Sequence, residues 1–157
     1  MKDANCVFCR IIDGSIPSVK VYESDNVIAF LDINPMEKGH VLVVPKQHWR
    51  TISDVPVDAP DAVRCAEEAM YIVRVTAKAL GEGLADGTNI LQANGACAGQ
   101  TVPHLHFHVI PRYGGETLQP GWESGAGKYK DDDERDSYAT RIADGIKKIV
   151  ESEGIFG

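Results

Sequence analysis

The run HLHFHVI, residues 104–110, constrains the fold of this chain more than any other segment. Histidines alternate with apolar residues, and a period of two is typical of a β-strand whose two faces differ chemically. We expect the apolar face to contact the core; it consists of Leu105, Phe107 and Val109. The opposite face would then line a cleft with His104, His106, His108 and Ile110.

The spacing of these histidines along a strand limits what they can do together. Same-face neighbours lie roughly 7 Å apart, so the backbones of His104 and His108 are separated by roughly 13 Å. Zinc bonds to nitrogen at about 2.1 Å, and a single ion therefore cannot bind all three imidazoles. At least one is left for another task, such as nucleophilic or acid-base chemistry. A row of half-exposed, hydrogen-bonded histidines without chemistry is the alternative.

Two stretches show the three-to-four spacing of amphipathic helices. The first ends at Gly81 and carries apolar residues at Val63, Ala66, Met70, Val73, Ala77 and Leu80. The second is capped by Asp136 or Ser137, ends at Gly154 and carries a stripe of Ile142, Ile146, Ile149 and Val150. Gly145 is expected to weaken this second helix slightly.

Five short runs rich in branched and aromatic residues predict strands: SVKVY, NVIAFLDI, HVLVVP, TNILQAN and LHFHVIP. Their order around the helices is not a βαβ repeat, so we predict an α+β fold. The sheet should have five strands and be mostly antiparallel, with one long central helix and a C-terminal helix. The 157 residues fit a single domain, with a core at 6–112 and a variable tail at 113–157. The Gly-rich, then acidic stretch between Arg112 and Asp136 predicts a loop or lid.

Composition excludes some partners. A formal net charge of -7 argues against a nucleic acid polymer, because phosphate backbones are bound by clustered Lys and Arg. We expect no membrane association, since no run of eighteen uncharged apolar residues occurs. The N-terminus lacks the apolar core of a secretory signal, so a cytoplasmic location is expected. The four cysteines are then better explained by free thiols or metal ligation than by disulfides.

The loop NGACAGQT, residues 94–101, lies directly before the histidine run. Its two glycines, small side chains, and amide and hydroxyl donors are typical of a backbone nest that binds phosphate. Such a loop is a weak signal alone. Beside candidate nucleophilic histidines, it brings anion donors next to an attacking group, as phosphoryl transfer requires.

The N-terminal motif CVFC, residues 6–9, is open to three interpretations: a zinc half-site, a redox pair or two buried thiols. No βαβ unit follows, which argues against thioredoxin-like chemistry. A tetrahedral metal site would need two further ligands, which the motif itself does not supply.

The alternating histidines, together with the block GHVLVVPKQH, FLDI and GQT, resemble the histidine triad (HIT) family of nucleotide hydrolases and transferases. The resemblance covers the chain from Cys6 to Arg112. It implies that the middle histidine, His106, attacks the α-phosphorus of a nucleotide and forms a nucleotidyl-imidazole intermediate. It also implies a purine nucleotide substrate, no organic cofactor and a homodimer whose sheet continues between subunits.

The same resemblance implies roles for further residues. His40 and His108 would flank the phosphate, and Gln100 and Thr101 would donate hydrogen bonds to its oxygens. The nucleotide would contact Phe30, Asp32, Ile33, Asn94 and Gly99. From the residues alone, a cap of the turn before Asn34 and Pro35 is the preferred interpretation of Asp32.

Resemblance to zinc-containing bacterial HIT proteins implies a structural zinc site formed by Cys6, Cys9, His48 and His104. Two other functions remain open: a nucleotide-binding module without turnover, and a zinc hydrolase that needs an open metal position. The leaving group of the substrate is not specified by any of these motifs.

Overall fold

A computed structural model describes residues 3–114 and 128–154. It contains helix α1 (Val7–Ile12), strands β1 (Lys20–Glu23), β2 (Val27–Leu31) and β3 (Val41–Pro45), helix α2 (Pro60–Gly81), strands β4 (Gly87–Leu91) and β5 (Phe107–Arg112), and helix α3 (Asp132–Glu153). Most of the predicted lid, residues 115–127, lies outside the described residues. In the part of the chain that is described, no helix combines the length and apolar character needed to cross a membrane.

The five strands form one antiparallel sheet in the order β1-β2-β3-β5-β4, which confirms the predicted α+β class. Both faces of β2 and β3 are buried, because helices cover the sheet on two sides. The larger core lies under α2 and α3 and includes Leu105, Phe107 and Val109. A smaller core lies on the opposite face under α1 and includes Phe8 and Phe30.

Helix α2 is confirmed, although only Val73 and Leu80 of the six apolar residues that predicted it are buried. Met70 is 49% exposed, whereas Ala69 and Cys65 are fully buried. Small residues on the buried face bring this helix close to its neighbours. Glu68 is buried too, because Ser24 Oγ and Asn26 Nδ2 donate hydrogen bonds to its carboxylate.

Helix α3 begins earlier than predicted, at Asp132 instead of after Asp136 or Ser137. The N-cap is Asp131, whose carboxylate accepts a hydrogen bond from the Glu134 amide at 2.8 Å. The acidic run interpreted as loop forms the first turn, because carboxylates are stabilised at the positive end of the helix dipole. The predicted end at Gly154 is confirmed.

Gly145 of α3 lies where the helix contacts α2, and a Cβ atom there would be 2.9 Å from Ala79 Cβ. The glycine therefore costs helix propensity but permits close packing of the two helices.

Candidate functional site

Strand β5 starts at Phe107, two residues later than predicted, so His104 and His106 lie directly before it and only His108 lies on it. The histidines are divided between two clusters of side chains. His104 and His106 are 0% and 4% exposed, and His108 is half-buried. The ring nitrogens of His104 lie near Cys6, Cys9 and His48, forming what we call the Cys/His cluster. Those of His108 lie near Asp32 and His40, which together with His106 form what we call the imidazole cluster. The spacing argument from the sequence, that one metal ion cannot bind His104 and His108 together, agrees with this division.

Strand register explains why His40 lies beside His108. Leu42 of β3 pairs with His108 of β5, so both side chains share one face of the sheet. His40 lies two residues before Leu42 on that same face, diagonally across from His108. The result is a contact of 3.0 Å between His40 Nε2 and His108 Nδ1.

Backbone partners determine which nitrogen of His40 carries the proton. The amide of Met36 donates to His40 Nδ1 at 3.1 Å, so Nδ1 must hold the lone pair. The proton of the neutral ring is therefore on Nε2, which donates to His108 Nδ1. By the same reasoning, His108 carries its own proton on Nε2. The Asp32 carboxylate lies 3.7 Å from His40 Nδ1, too far for a hydrogen bond.

The tautomer of His106 follows in the same way. Its Nδ1 lies 2.6 Å from the carbonyl oxygen of His104, which can only accept, so Nδ1 is the donor. The lone pair of the neutral ring is therefore on Nε2. A fixed tautomer of this kind prepares one imidazole nitrogen for nucleophilic attack.

Burial keeps these imidazoles neutral. It lowers the pKa of His40 and of His108 to about 3, with further lowering from Arg112 at His40 and from His106 at His108. Burial also lowers the pKa of His106 below its ordinary value, although its bond to the His104 carbonyl partly opposes this. Near neutral pH the cluster thus offers neutral donors and lone pairs.

The Cys/His cluster has the geometry of a tetrahedral metal site. His104 Nδ1 lies 3.4 Å from Cys6 Sγ and 3.7 Å from Cys9 Sγ, and His48 Nδ1 lies 3.3 Å from Cys9 Sγ. Bonds of about 2.3 Å to sulfur and 2.05 Å to nitrogen at tetrahedral angles place such atoms about 3.6 Å apart. All four ligand atoms lie within 4.8 Å of one another.

The outer contacts of His104 also fit a metal ligand. Its Nε2 donates to the Pro45 carbonyl at 2.8 Å, which leaves the Nδ1 lone pair directed at the thiols. The donor set of two sulfurs and two imidazole nitrogens suits zinc.

Phe8 is a site residue that the sequence analysis missed. Its ring centroid is 5.1 Å from that of His106 and 5.9 Å from that of His104, both edge-on. It also contacts Phe30 at 5.7 Å. The sequence offered an indication of this contact, because Phe8 lies between Cys6 and Cys9. If these cysteines and His104 bind one metal ion, Phe8 must lie close to His104.

The proposed nucleotide contacts differ in what surrounds them. Asp32 Oδ1 accepts from the Asn34 amide at 2.9 Å, so the turn-cap interpretation of Asp32 is confirmed. This leaves its second oxygen facing His40. Phe30 is buried in the smaller core, whereas Ile33 is 92% exposed beside this turn.

The loop before the triad is held by Gln100, one of the two loop residues predicted to donate to phosphate. Gln100 is buried; its amide donates to the Arg50 carbonyl at 2.6 Å and its oxygen accepts from the Gly95 amide at 2.7 Å. Both ends of this side chain therefore fasten the loop. Asn94, Gly99 and Thr101 are exposed, and the Asn94 oxygen accepts from the Ile52 amide.

Comparison with known proteins adds a family match and close relatives. The family model described as the HIT domain matches residues 13–115. Protein hit of Bacillus subtilis is 41% identical over 144 residues, covering 88% of this chain and 95% of that protein. Adenosine 5'-monophosphoramidase HNT1 of Candida albicans is 38% identical over 125 residues, covering 78% of this chain and 81% of that protein.

A solved structure and a further relative bear on the two clusters. A Zn-bound histidine triad family protein from Mycobacterium smegmatis aligns with a TM-score of 0.75 and 34% identity, covering 94% of this chain and 97% of that one. Adenylylsulfatase HINT3 of Arabidopsis thaliana is 42% identical over 108 residues, covering 69% of this chain and 52% of that protein.

Proposed function

The chain belongs to the HIT (histidine triad) family, and from this premise we propose that it is a nucleotide hydrolase or transferase acting at the α-phosphate. The relatives named adenosine 5'-monophosphoramidase and adenylylsulfatase support a nucleotide substrate. The first cleaves a P–N bond by its name, and the second acts on an adenylyl group bound to sulfate. A shared nucleoside monophosphate with variable leaving groups is the simplest account of both.

The observation that carries this proposal is the 2.6 Å bond between His106 Nδ1 and the His104 carbonyl. With its proton held there, His106 presents the Nε2 lone pair as the nucleophile. In the proposed first step, Nε2 forms a bond to the α-phosphorus, and the bond from phosphorus to the leaving group breaks. The leaving group takes the electron pair and acquires a proton from His108 Nε2. In the second step, water attacks phosphorus, the bond from phosphorus to His106 Nε2 breaks and its electron pair returns to that nitrogen, while a proton from the water returns to His108 Nε2.

His108 and His40 act together in this mechanism. Because His40 donates to His108 Nδ1, the protonated Nε2 of His108 can donate to a phosphoryl oxygen or to the leaving group. The neutral state that burial imposes on both rings keeps that donor in place near pH 7. Exposed Gly99 and Thr101 lie in the adjacent loop, where their backbone and hydroxyl donors can bind phosphate.

The nucleoside is assigned to the side of the sheet covered by α1. We place the ribose hydroxyls at Asp32, whose carboxylate is 15% exposed and able to accept two hydrogen bonds. A purine base would contact exposed Ile33 and the aromatic pair of Phe8 and Phe30. Asn94 is a second polar contact, and Gln100 contributes by fixing the loop.

We assign a structural zinc ion to Cys6, Cys9, His48 and His104. Ligand distances near those of a tetrahedral site and the Pro45 bond to His104 support it, as does the Zn-bound relative from Mycobacterium smegmatis. Such an ion would cross-link the N-terminal helix α1 to His48 and to His104, which lies directly before β5. Four protein ligands leave no position for water, so this metal would stabilise the fold without taking part in the reaction.

A homodimer that continues the sheet is also proposed. Among the residues that the structure describes, strand β4 lies at an edge of the sheet, and edge strands can pair with strands of another chain. Ile90 is 52% exposed and lies on the α2 side of the sheet, because it pairs with buried Val109. Met70 of α2 is 49% exposed. Light scattering should show a dimer for the wild type and a monomer for Ile90→Lys.

A second candidate rests on the side-chain group Asp32, His40 and His108, whose ligand atoms lie within 4.8 Å of one another. Three such ligands could hold a metal whose bound water hydrolyses the substrate. The hydrogen bonds from Met36 to His40 and from His40 to His108 already use the nitrogens that a metal would need. The covalent mechanism is therefore favoured.

Single-turnover hydrolysis of an adenosine phosphoramidate tests these alternatives. We expect the wild type to release adenosine monophosphate, and His106→Ala to bind the nucleotide without turnover. A chelator added immediately before mixing should leave the rate unchanged. An immediate loss of rate would favour a catalytic metal, and nucleotide binding without turnover in the wild type would favour a binding module.

A further inference from the structure

The turn that carries His40, residues 36–40, is held by few contacts of its own. The His40 amide donates to the Glu37 carbonyl at 3.0 Å. Gly39 has a φ of +91°, a conformation that side chains other than glycine rarely adopt. The Met36 amide donates a second internal hydrogen bond, to His40 Nδ1. A turn with two internal hydrogen bonds and a glycine in the left-handed region is stabilised in one conformation by contacts from outside it.

Two tyrosine hydroxyls from beyond strand β5 supply such contacts. The Gly39 amide donates to the Tyr129 hydroxyl oxygen at 2.8 Å. The Tyr113 hydroxyl donates to the Lys38 carbonyl at 2.9 Å. Tyr113 directly follows β5, and Tyr129 lies shortly before α3, so the two bonds reach the turn from different parts of the chain.

Further contacts from α3 surround the same turn. Tyr138 packs edge-on against Tyr129, with ring centroids 5.7 Å apart. A Cβ atom on Gly39 would be 3.3 Å from Tyr138 Cδ1, so the turn and this ring are in close contact. Lys38 forms an ion pair with Glu134 at 2.7 Å. Residues 113–142 thus contribute backbone, side-chain and packing contacts to the turn, in addition to those of Pro111 and Arg112 at the end of β5.

The orientation of the His40 ring depends on this turn. Its Nδ1 accepts from the Met36 amide inside the turn, and its Nε2 donates to His108 on the sheet. Movement of the turn relative to the sheet would lengthen one or both bonds. Since catalytic groups lose effect when misplaced by about 1 Å, the tyrosines act on the reaction through His40.

We propose that Tyr113 and Tyr129 are positioning residues for the His40–His108 hydrogen bond. This inference rests on the proposed function for its kinetic consequence. It assigns a role in that reaction to the segment after Arg112, the part of the chain in which the sequence motifs indicate least. Neither tyrosine touches the reacting atoms in this account.

The test is Tyr129→Phe and Tyr113→Phe, each of which removes one hydroxyl and keeps the ring. We expect kcat for phosphoramidate hydrolysis to fall about tenfold in each, with KM changed less than about twofold. Tyr22→Phe on β1 is the matched control, because it removes a half-buried hydroxyl far from the turn. Its kcat should equal that of the wild type.

Nuclear magnetic resonance of histidine labelled with ¹⁵N supplies a readout that does not depend on turnover. The proton between His40 Nε2 and His108 Nδ1 should be protected from exchange in the wild type and in Tyr22→Phe. It should exchange faster in both tyrosine variants, while the His106 Nδ1 proton stays protected. Unchanged kcat together with unchanged exchange in both variants would overturn the proposal. Absence of His106-dependent turnover in the wild type would instead refute the proposed function.

Discussion

The Cys/His cluster and the imidazole cluster share one short stretch of chain, because His104 and His106 lie two residues apart directly before β5, yet the two rings differ in what surrounds them. His104 donates from Nε2 to Pro45 and turns Nδ1 toward two thiols. His106 donates from Nδ1 to the His104 carbonyl and presents Nε2 instead. In the first case four ligand atoms converge, and in the second the neighbours are other imidazoles.

This difference shows that the backbone carbonyl bound by each ring decides its role. In the proposed function, the histidine between thiols and a fixed carbonyl is the metal ligand, and the one beside neutral imidazole donors is the nucleophile. The two clusters also meet, because the carbonyl that orients His106 belongs to His104 itself. Stability and reactivity should therefore separate when single residues are changed.

The largest expected effect separates the two neighbouring histidines. His106→Asn should lower kcat/KM by more than about a thousandfold, because the nucleophile is lost, with a small change in melting temperature. His104→Asn is the matched variant and should lower the melting temperature strongly. Turnover and thermal unfolding of both proteins check this. Equal losses of activity and of stability in the two variants would contradict the separate roles proposed for His104 and His106.

The next effect isolates the Cys/His cluster. The double variant Cys6→Ser/Cys9→Ser should lose its metal, and its free energy of unfolding should fall by about 4 kcal/mol, the linkage value for a ligand present at a thousand times its dissociation constant. Elemental analysis and denaturant unfolding measure the two changes. Cys65→Ser, also buried but outside the cluster, is the control and should keep the metal. Full stability of the double variant would rule out a structural ion.

A smaller effect is the loss of folding stability at acidic pH, which depends on His40 of the imidazole cluster. The pKa of folded His40, about 3, lies below its ordinary value of 6.5, because burial disfavours the charged ring. Between these values the unfolded chain binds a proton that the folded chain does not, so stability rises with pH and falls on acidification. At pH 5, His40 should destabilise the fold by about 2 kcal/mol relative to pH 7.

Denaturant unfolding of wild type and His40→Gln at pH 7 and pH 5 measures this contribution. The variant should lose less stability on acidification, and the difference between the two proteins cancels any effect of acid on the Cys/His cluster. Identical losses in the two proteins would mean that His40 does not titrate below its ordinary range.

The smallest effect concerns Phe8, which contacts a histidine of each cluster. Phe8→Leu keeps an apolar side chain but removes both ring contacts, and should cost about 1 kcal/mol of stability. Ile11→Val, in the same small core but outside the ring contacts, is the control. We expect weaker nucleotide binding in Phe8→Leu only. Equal nucleotide affinity of the two variants would mean that Phe8 does not contribute to nucleotide binding.

Much of the fold could be predicted from local patterns. The five strands follow from short runs of branched and aromatic residues, and both long helices follow from a period of three to four residues. The start of α3 could not be predicted, because Asp131 is equally compatible with a loop and with an N-cap. The exposure of Met70 depends on which neighbours cover α2, and this is a property of the tertiary packing.

Prediction of the site was limited in the same way. The alternation of the histidines is a local pattern, and from it we could predict that His104 and His108 do not bind the same metal ion. Gln100 was predicted to donate to phosphate, but its amide holds the loop through Arg50 and Gly95, and these contacts depend on how the chain folds back. Tyr113 and Tyr129 contact the His40 turn through the tertiary fold, although they are distant from it in sequence. The residues around them do not indicate that contact.

The most direct test of the account is intact-protein mass spectrometry after rapid, acid-free quenching with an adenosine phosphoramidate. Wild type and His106→Gln are compared, because we propose that the covalent bond to the nucleotide forms at His106 Nε2. We predict an added adenylyl group on the wild type and none on the variant. Measurable turnover without any adduct on the wild type, or an adduct of equal yield on His106→Gln, would contradict the central claim.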